Sequence, residues 1–528
     1  MFSRLLAPIF LVLLIACGSD TGENHFGLDG VDGFDTGTPD GGTGNFVSGE
    51  SILSDQVTIP ETDEGTGVIY GKVLNAVTGD GIADVEVSSG SITAVSDQDG
   101  AYMLVNVPYS DRVVVNTDAP NFARQSKIVV LSEVQHAVIL NPPLLSVGEE
   151  ISFDPTAEQT LSSGNIEITL PANSLGREVE GSDEAATGTV TAKITNLDAS
   201  SDPNLMPGDY LTDGGNYIES FGAISARFED ESGNELDLIG GATANISIPV
   251  AANVVSAETV TGKFSYSRDT GFWTNEGDFT LSGAVYEGEV GHFSAWNSDV
   301  EYSPVTISGC VEDGLGGRLP GAVVKVRGAD YIGTSTAITD ADGNFQVQAK
   351  ESSRVFAQAS IEGRLSNTVE ISTGSGQSLS ECMLLPSFSI SVTLTWGLNP
   401  SDLDTHLVGP GIHIDYTNKG SLVSSSPDAP LMALDVDDTD SYGPEILTIL
   451  RFAEPGNYVY SVHLYGGSSD IRSSPAKVEL NYNGETYIFA PPGGTVDTTW
   501  EVFEIQVGDN LQVQDIIALQ AWKPGTPN

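Results

Sequence analysis

From about residue 66 onward the chain consists of short alternating runs rich in Val, Ile, Thr and Tyr. They are broken by Gly, Asn-Gly, Asp-Gly and Pro, with almost nothing at helical period. Val85-Glu86-Val87, Ile166-Glu167-Ile168 and Val392-Thr393-Leu394 are examples. In an extended backbone alternate side chains face opposite sides, so one face of such a run can enter a core while the other meets water. Turn signals at regular intervals between these runs predict an all-β, multidomain chain of β-sandwiches in series, with helix minor. At 528 residues the chain is too long for one core; about three to five domains are expected.

A repeat is visible within this texture. Val68-Ile69-Tyr70-Gly71-Lys72-Val73 is followed by Gly81-Ile82-Ala83-Asp84-Val85-Glu86-Val87 and then by Asp97-Gln98-Asp99-Gly100-Ala101-Tyr102. The same order returns in Thr306-Ile307-Ser308-Gly309-Cys310-Val311, Leu319-Pro320-Gly321-Ala322-Val323-Val324-Lys325-Val326 and Asp340-Ala341-Asp342-Gly343-Asn344-Phe345. Asp-Gly supplies the positive-φ turn of a hairpin, and the aromatic two residues on plants the returning strand in the core. On these motifs, residues 66–145 and 301–385 resemble the carboxypeptidase regulatory-like domain. That resemblance implies two transthyretin-like sandwiches, accessory in role and without peptidase chemistry.

Residues 146–300 carry Gly164-Asn165-Ile166-Glu167-Ile168-Thr169-Leu170-Pro171, Met206-Pro207-Gly208-Asp209, Gly271-Phe272-Trp273 and Val290-Gly291-His292-Phe293-Ser294-Ala295-Trp296-Asn297-Ser298-Asp299. This segment looks like the β-rich region of cartilage intermediate layer proteins, which implies matrix or surface binding. Residues 386–528 open with Val392-Thr393-Leu394-Thr395-Trp396 and Asp402-Leu403-Asp404-Thr405-His406-Leu407. They are similar to an uncharacterised bacterial exported domain, which implies a jelly-roll-like sandwich.

At the other end, Arg4, an apolar run to Ala16 and then Cys17-Gly18-Ser19-Asp20 resemble a bacterial lipoprotein signal, with residues 1–16 removed and Cys17 lipidated. An ordinary secretory signal is the alternative, and export follows from both. Gly18 rather than Asp favours the outer membrane or cell surface, with the lipid as the membrane contact. Residues 17–65 read as an acidic Gly-rich tether. Within 18–60 there are ten Gly and eight Asp or Glu but no Lys or Arg, which favours a disordered spacer over a calcium repeat. The whole chain carries 73 acidic and 21 basic residues, net −52, and this excludes a nucleic-acid partner. With Cys17 lipidated, Cys310 and Cys382 remain as an even pair in an oxidising compartment, so a disulfide is expected, with two free thiols as the alternative. In the regulatory-like resemblance that bridge would join the first and last strands of the second copy. The first copy, with Lys72 at the matching place, would hold by packing alone.

Chemistry concentrates in the last segment. Asp402, Asp404 and His406 alternate on one predicted strand, and Asp435, Asp437, Asp438, Asp440 and Glu445 crowd one loop. Carboxylates this dense repel unless water or a cation neutralises them, and hard carboxylate oxygens suit structural Ca²⁺. A solvated acidic loop and a transition metal held through His406 are the alternatives. Because the loop departs from the EF-hand pattern, any site would lie at a sandwich edge and be built from two segments. Asp97, Asp99, Asp340 and Asp342 read as turn residues, and His292 as a partly buried strand histidine. No nucleophile elbow, zinc-protease helix or phosphate loop is present. The expectation is therefore a non-enzymatic, lipid-anchored surface protein, calcium-stabilised, serving adhesion or envelope scaffolding for a protein or glycan ligand. Two alternatives stand beside it: a carbohydrate-binding accessory protein with Trp273, Trp296, Trp396 or Trp500 stacking on sugars, and a hydrolase with its site in residues 386–528.

Overall fold

The computed structural model describes residues 46, 48–49, 51–53, 57–179, 181–200, 202–254, 258–424, 426 and 428–527. The signal sequence, Cys17 and the tether up to residue 45 lie outside them. The described residues are almost entirely strand, with single 3-10 turns at Pro203–Leu205 and Ile471–Ser473. No helix among them is long and apolar enough to cross a membrane.

The sequence repeat is also a repeat of topology. Thr66–Lys72 pairs antiparallel with Ala101–Pro108 and parallel with Ala137–Ile139. Its counterpart Pro304–Glu312 pairs antiparallel with Asn344–Lys350 and parallel with Gln377–Ser378 and Met383–Leu384. Each copy has a second sheet, built on Glu86–Ser89 and Ser110–Asp118 in the first and on Val323–Gly328 and Arg354–Ile361 in the second. The hairpin turns form as their residue types dictate. Asp97 Oδ1 accepts from the backbone N–H of Asp99 and Ala101, and Asp340 Oδ1 from Asp342 and Asn344. Gly100 and Gly343 take φ of 79° and 72°, and Tyr102 and Phe345 are buried two residues on. These aspartates serve the turn, as expected.

Cys310 and Cys382 form a disulfide with Cα atoms 4.6 Å apart, joining the first strand of the second copy to its last. In the first copy the same register places Lys72 beside Asn141, whose side-chain oxygen accepts from the Lys72 backbone N–H at 2.8 Å. A side-chain hydrogen bond thus stands where the second copy has sulfur, and packing does not act alone.

Residues 149–301 contribute a connected sheet of 13 strands. Phe153, Ile168, Phe228, Phe279, Tyr286 and Trp296 meet in its core. The last segment is a sandwich of two sheets. One runs through Leu431–Val436, Glu445–Arg451, Ile390–Thr395 and Lys477–Tyr482, and the other through Ile412–Ile414, Asp402–Gly409, Gly456–Gly466, Thr499–Val507 and Val513–Lys523. Between them lie Val392, Leu394, Trp396, Leu403, Leu407, Tyr460, Trp500 and Phe503. The alternation read at 392–396 is therefore the inward face of a strand.

The tether ends earlier than its composition suggests. The backbone N–H groups of Gly49 and Ile52 donate to Ala518 and Ile516, at 2.7 and 2.9 Å. Ile52 is buried in the core of the last segment, and the Phe46 ring packs 4.7 Å from that of Phe489. Three apolar side chains, Phe46, Ile52 and Leu53, are enough to add this piece to the sandwich.

Within the compact unit Thr43–Asn528 the segments also hold one another. Arg112 of the first copy makes two hydrogen bonds to Asp209 of the middle region, at 2.6 and 2.8 Å. Asp118 of the first copy meets Arg227 and Arg268 of the middle region. Lys350 of the second copy meets Glu219, and Lys477 of the last segment meets Asp202 at 2.9 Å. An apolar cluster crosses seams too, joining Ala123, Met206, Tyr210, Trp273 and Ile332.

Two outcomes follow from these contacts. The Cys310–Cys382 bridge closes 72 residues, so Cys382→Ser should cost about 4 kcal/mol by loop entropy, measured by denaturant unfolding. The pair Lys72→Cys and Asn141→Cys should oxidise to a second bridge, seen as the loss of both added thiols. Burial pushes the Asp202 carboxyl up, but the Lys477 ammonium more than reverses this and holds it well below its ordinary range. The stabilisation from Asp202 is then complete above the usual carboxylate range near pH 4 and is lost as pH falls below it. Asp202→Asn should destabilise by about 3 kcal/mol at neutral pH and flatten that acid limb in a pH series of thermal melts.

Candidate metal centre

Asp402–Gly409 is bonded along one side to Gly456–Gly466, but on its other side the short strand Ile412–Ile414 covers only residues 407–409. The Asp402–His406 stretch therefore faces the loop that joins Leu431–Val436 to Glu445–Arg451 across the gap between the two sheets. Leu403 and Leu407 enter the core, which by strand alternation turns Asp402, Asp404 and His406 to the opposite face. The joining loop closes through three consecutive left-handed residues, Ser441, Tyr442 and Gly443, with φ of 83°, 67° and 73°. At Gly443 a Cβ would lie 2.7 Å from the Trp396 ring, so only glycine fits. The chain then enters Glu445, which is fully buried.

Asp404, Asp437 and Glu445 each bring a carboxylate oxygen to within 4.8 Å of the others. Glu445 Oε2 accepts from the Thr405 backbone N–H, and Asp437 Oδ2 pairs with Lys419 at 2.7 Å. The remaining oxygens are the informative ones. Asp402 Oδ1, Asp404 Oδ2, Asp437 Oδ1 and Glu445 Oε1 are buried and have no hydrogen-bond partner among the described residues. Burial, then Asp402, Asp437 and Asp415, push the Asp404 carboxyl up to about 7. Burial drives Glu445 well above its ordinary range, with Asp404 adding to it, and Asp402 is raised by burial and by Asp437. Four largely buried carboxyls, with the half-exposed Lys419 ammonium at their edge, form a site that a cation with oxygen preference would complete.

His406 joins a different group. Its partners are His413 and Asp415, neither of which the acidic pattern singled out. Gly409-Pro410-Gly411 turns the chain so that His413 returns beside Val408, and that turn was the available signal. Burial, then His413, lower the His406 imidazole to about 4. His463 stands edge-on to His406 with ring centroids 5.8 Å apart, so three of the chain's six histidines meet here.

The other expected ligands lie elsewhere. Asp435 Oδ2 accepts from the Thr368 backbone N–H of the second copy at 2.9 Å and from Thr448 Oγ1 at 2.6 Å; it fastens a seam, and a register shift between Leu434 and Val436 breaks the alternation that would otherwise put it on one face with Asp437. Asp438 Oδ1 accepts from the Asp440 N–H as a turn, and Asp440 is exposed. Both still raise the Asp402 carboxyl by their charge, after burial and Asp437. His292 lies in a bend rather than a strand, pairing with Glu276 at 2.9 Å against Trp296. Trp273, Trp296, Trp396 and Trp500 are all fully buried, which removes them as sugar-stacking platforms. The exposed aromatics near the site are Tyr416 and Tyr465, with ring centroids 5.2 Å apart.

No family model and no curated protein matches the chain. Among solved structures, a protein of unknown function, SAV2460, aligns over 26% of this chain and 92% of its own at 13% identity, TM-score 0.20. The major pilin subunit BcpA of Bacillus cereus aligns over 59% and 98% at 7% identity, TM-score 0.13. The major pilin SpaD of Corynebacterium diphtheriae aligns over 61% and 98% at 10% identity, TM-score 0.14. Scores this low carry no functional argument.

If Asp435 is a seam residue, Asp435→Ala should destabilise by about 1–3 kcal/mol, the cost of a buried donor left unpaired. The response of the melting temperature to divalent cations should stay unchanged in the same melts.

Proposed function

We propose that this is a non-enzymatic, exported surface protein, anchored by lipid at Cys17, whose last module is stabilised by Ca²⁺ and which serves adhesion or envelope scaffolding. The observation that carries the calcium part is the set of buried, unpartnered oxygens on Asp404, Asp437 and Glu445. Such a pocket favours a multivalent hard cation over solvent, because its walls leave the oxygens few other partners. Export and anchoring rest on the Cys17 leader. Phe46 packs on the last sandwich, so an anchor upstream would tether that module. The cross-linked β architecture suits a rigid presenter of loops. A glycan ligand is the second reading, favoured by the exposed Tyr416 and Tyr465 pair, which offers sugar faces what the buried tryptophans do not.

Calcium titration of the chelator-treated full chain should raise the melting temperature. At a hundredfold excess over Kd the gain is about 2.7 kcal/mol. Glu445→Gln should abolish the rise while making the calcium-free protein more stable, since folding no longer has to bury or protonate that carboxyl. An unchanged melting temperature with calcium and with chelator would remove the calcium role.

A further inference from the structure

The His406 group has a geometry of its own. His406 Nδ1 and His413 Nε2 are 2.9 Å apart, His413 Nε2 and Asp415 Oδ2 3.6 Å, and His406 Nδ1 and Asp415 Oδ2 4.0 Å. Those three separations lie around the ~3.4 Å that ligand atoms about 2.1 Å from a tetrahedral zinc keep from one another. The hydrogen bond between His406 and His413 accounts for the shortest of them, and all three atoms converge on one point.

The surroundings prepare the three atoms for this role. Asp415 Oδ1 accepts from the Thr417 backbone N–H, Thr417 Oγ1 and the Asn418 backbone N–H, at 2.7 to 2.9 Å. That arrangement orients the carboxylate and leaves Oδ2 turned to the imidazoles, the outer-shell support that metal-binding carboxylates use. Asn418 Nδ2 donates to the His413 carbonyl at 2.7 Å, fixing the hairpin that carries both residues. His406 is fully buried, so its ring is held in place by packing. His463 does not join the triangle, because both its ring nitrogens are engaged, Nδ1 by Thr499 Oγ1 at 2.9 Å and Nε2 by Thr526 Oγ1 at 3.4 Å.

We propose that His406 Nδ1, His413 Nε2 and Asp415 Oδ2 bind one Zn²⁺ ion, distinct from the calcium pocket, with the fourth coordination position open to an oxygen donor. Three protein ligands with an exchangeable fourth is the arrangement of an open zinc site, whereas closed structural sites supply four. The donor would be water, or a carboxylate or hydroxyl oxygen of an incoming molecule received against Tyr416 and Tyr465, whose rings are 41% and 58% exposed. Two imidazoles with a single carboxylate suit zinc better than calcium, which takes six to eight oxygens. The site therefore goes beyond the calcium reading and does not depend on it.

The full chain, stripped with chelator and saturated with Ca²⁺, is titrated with Zn²⁺ by calorimetry. One ion per chain is expected. His413→Ala and Asp415→Asn should each weaken its binding by more than the 10–100-fold that loss of an outer-shell partner costs, while keeping the calcium-induced rise in melting temperature as the control for folding. Glu445→Gln should do the reverse, losing the calcium response and keeping zinc, so the failure of either site is told apart from that of the other. Absence of zinc binding, or binding unchanged in both His413→Ala and Asp415→Asn, would overturn the site. Co²⁺ in place of zinc should give a four-coordinate spectrum that added azide shifts, and a spectrum indifferent to azide would overturn the open position.

Discussion

Like-charged modules repel at distances within a Debye length, about 8 Å at physiological salt, and in this chain of net charge −52 acidic side chains outnumber basic ones by 73 to 21. Its fold therefore depends on where the 21 cationic side chains are placed. Arg112, Arg227, Arg268, Lys350 and Lys477 each bond to a carboxylate that belongs to another segment. Lys127 and Lys325 reach Asn204 from the two regulatory-like copies. An ion pair on an open surface contributes little. At a half-buried seam, removing one partner strands the other, so these pairs decide how the segments meet.

The same reasoning explains why the seams could not be read in advance. Strand positions follow from alternation, the two hairpins from Asp-Gly, and the bridge from the two cysteines that remain beyond Cys17, because each signal is local or arithmetic. A seam is neither. Nothing near Lys477 announces Asp202, and nothing near Asp435 announces the Thr368 N–H. The tether was misjudged at its end for a related reason: composition over 18–60 is dominated by Gly and Asp, while docking needs only Phe46 and Ile52 to find the edge of a sandwich far away in sequence.

The metal centre was half legible. Alternation places Asp402, Asp404 and His406 on one face, and the departure from an EF-hand implies two contributing segments; Asp404 with Asp437 and Glu445 has that construction. Counting acids in a loop could not separate the oxygens that converge from those that turn the chain or fasten a neighbour. Asp437 and Asp438 are consecutive, yet one carries an oxygen into the buried pocket and the other caps its own turn. His413 and Asp415 escaped because they follow a Gly-Pro-Gly reversal, which moves them beside His406 only once the short hairpin is formed.

Asp404 and His406 are two residues apart on one strand, about 6.6 Å by strand rise. That spacing is long enough for two donor sets and short enough for each to feel the other. Asp415 raises the Asp404 carboxyl and opposes the lowering of the His406 imidazole, so its charge is felt by both groups. One group offers only carboxylate oxygens and the other two imidazoles with one carboxylate, donor sets that suit different cations. The alternation of a single strand, turned toward a gap between sheets, thereby contributes one side chain to each of two chemically different groups.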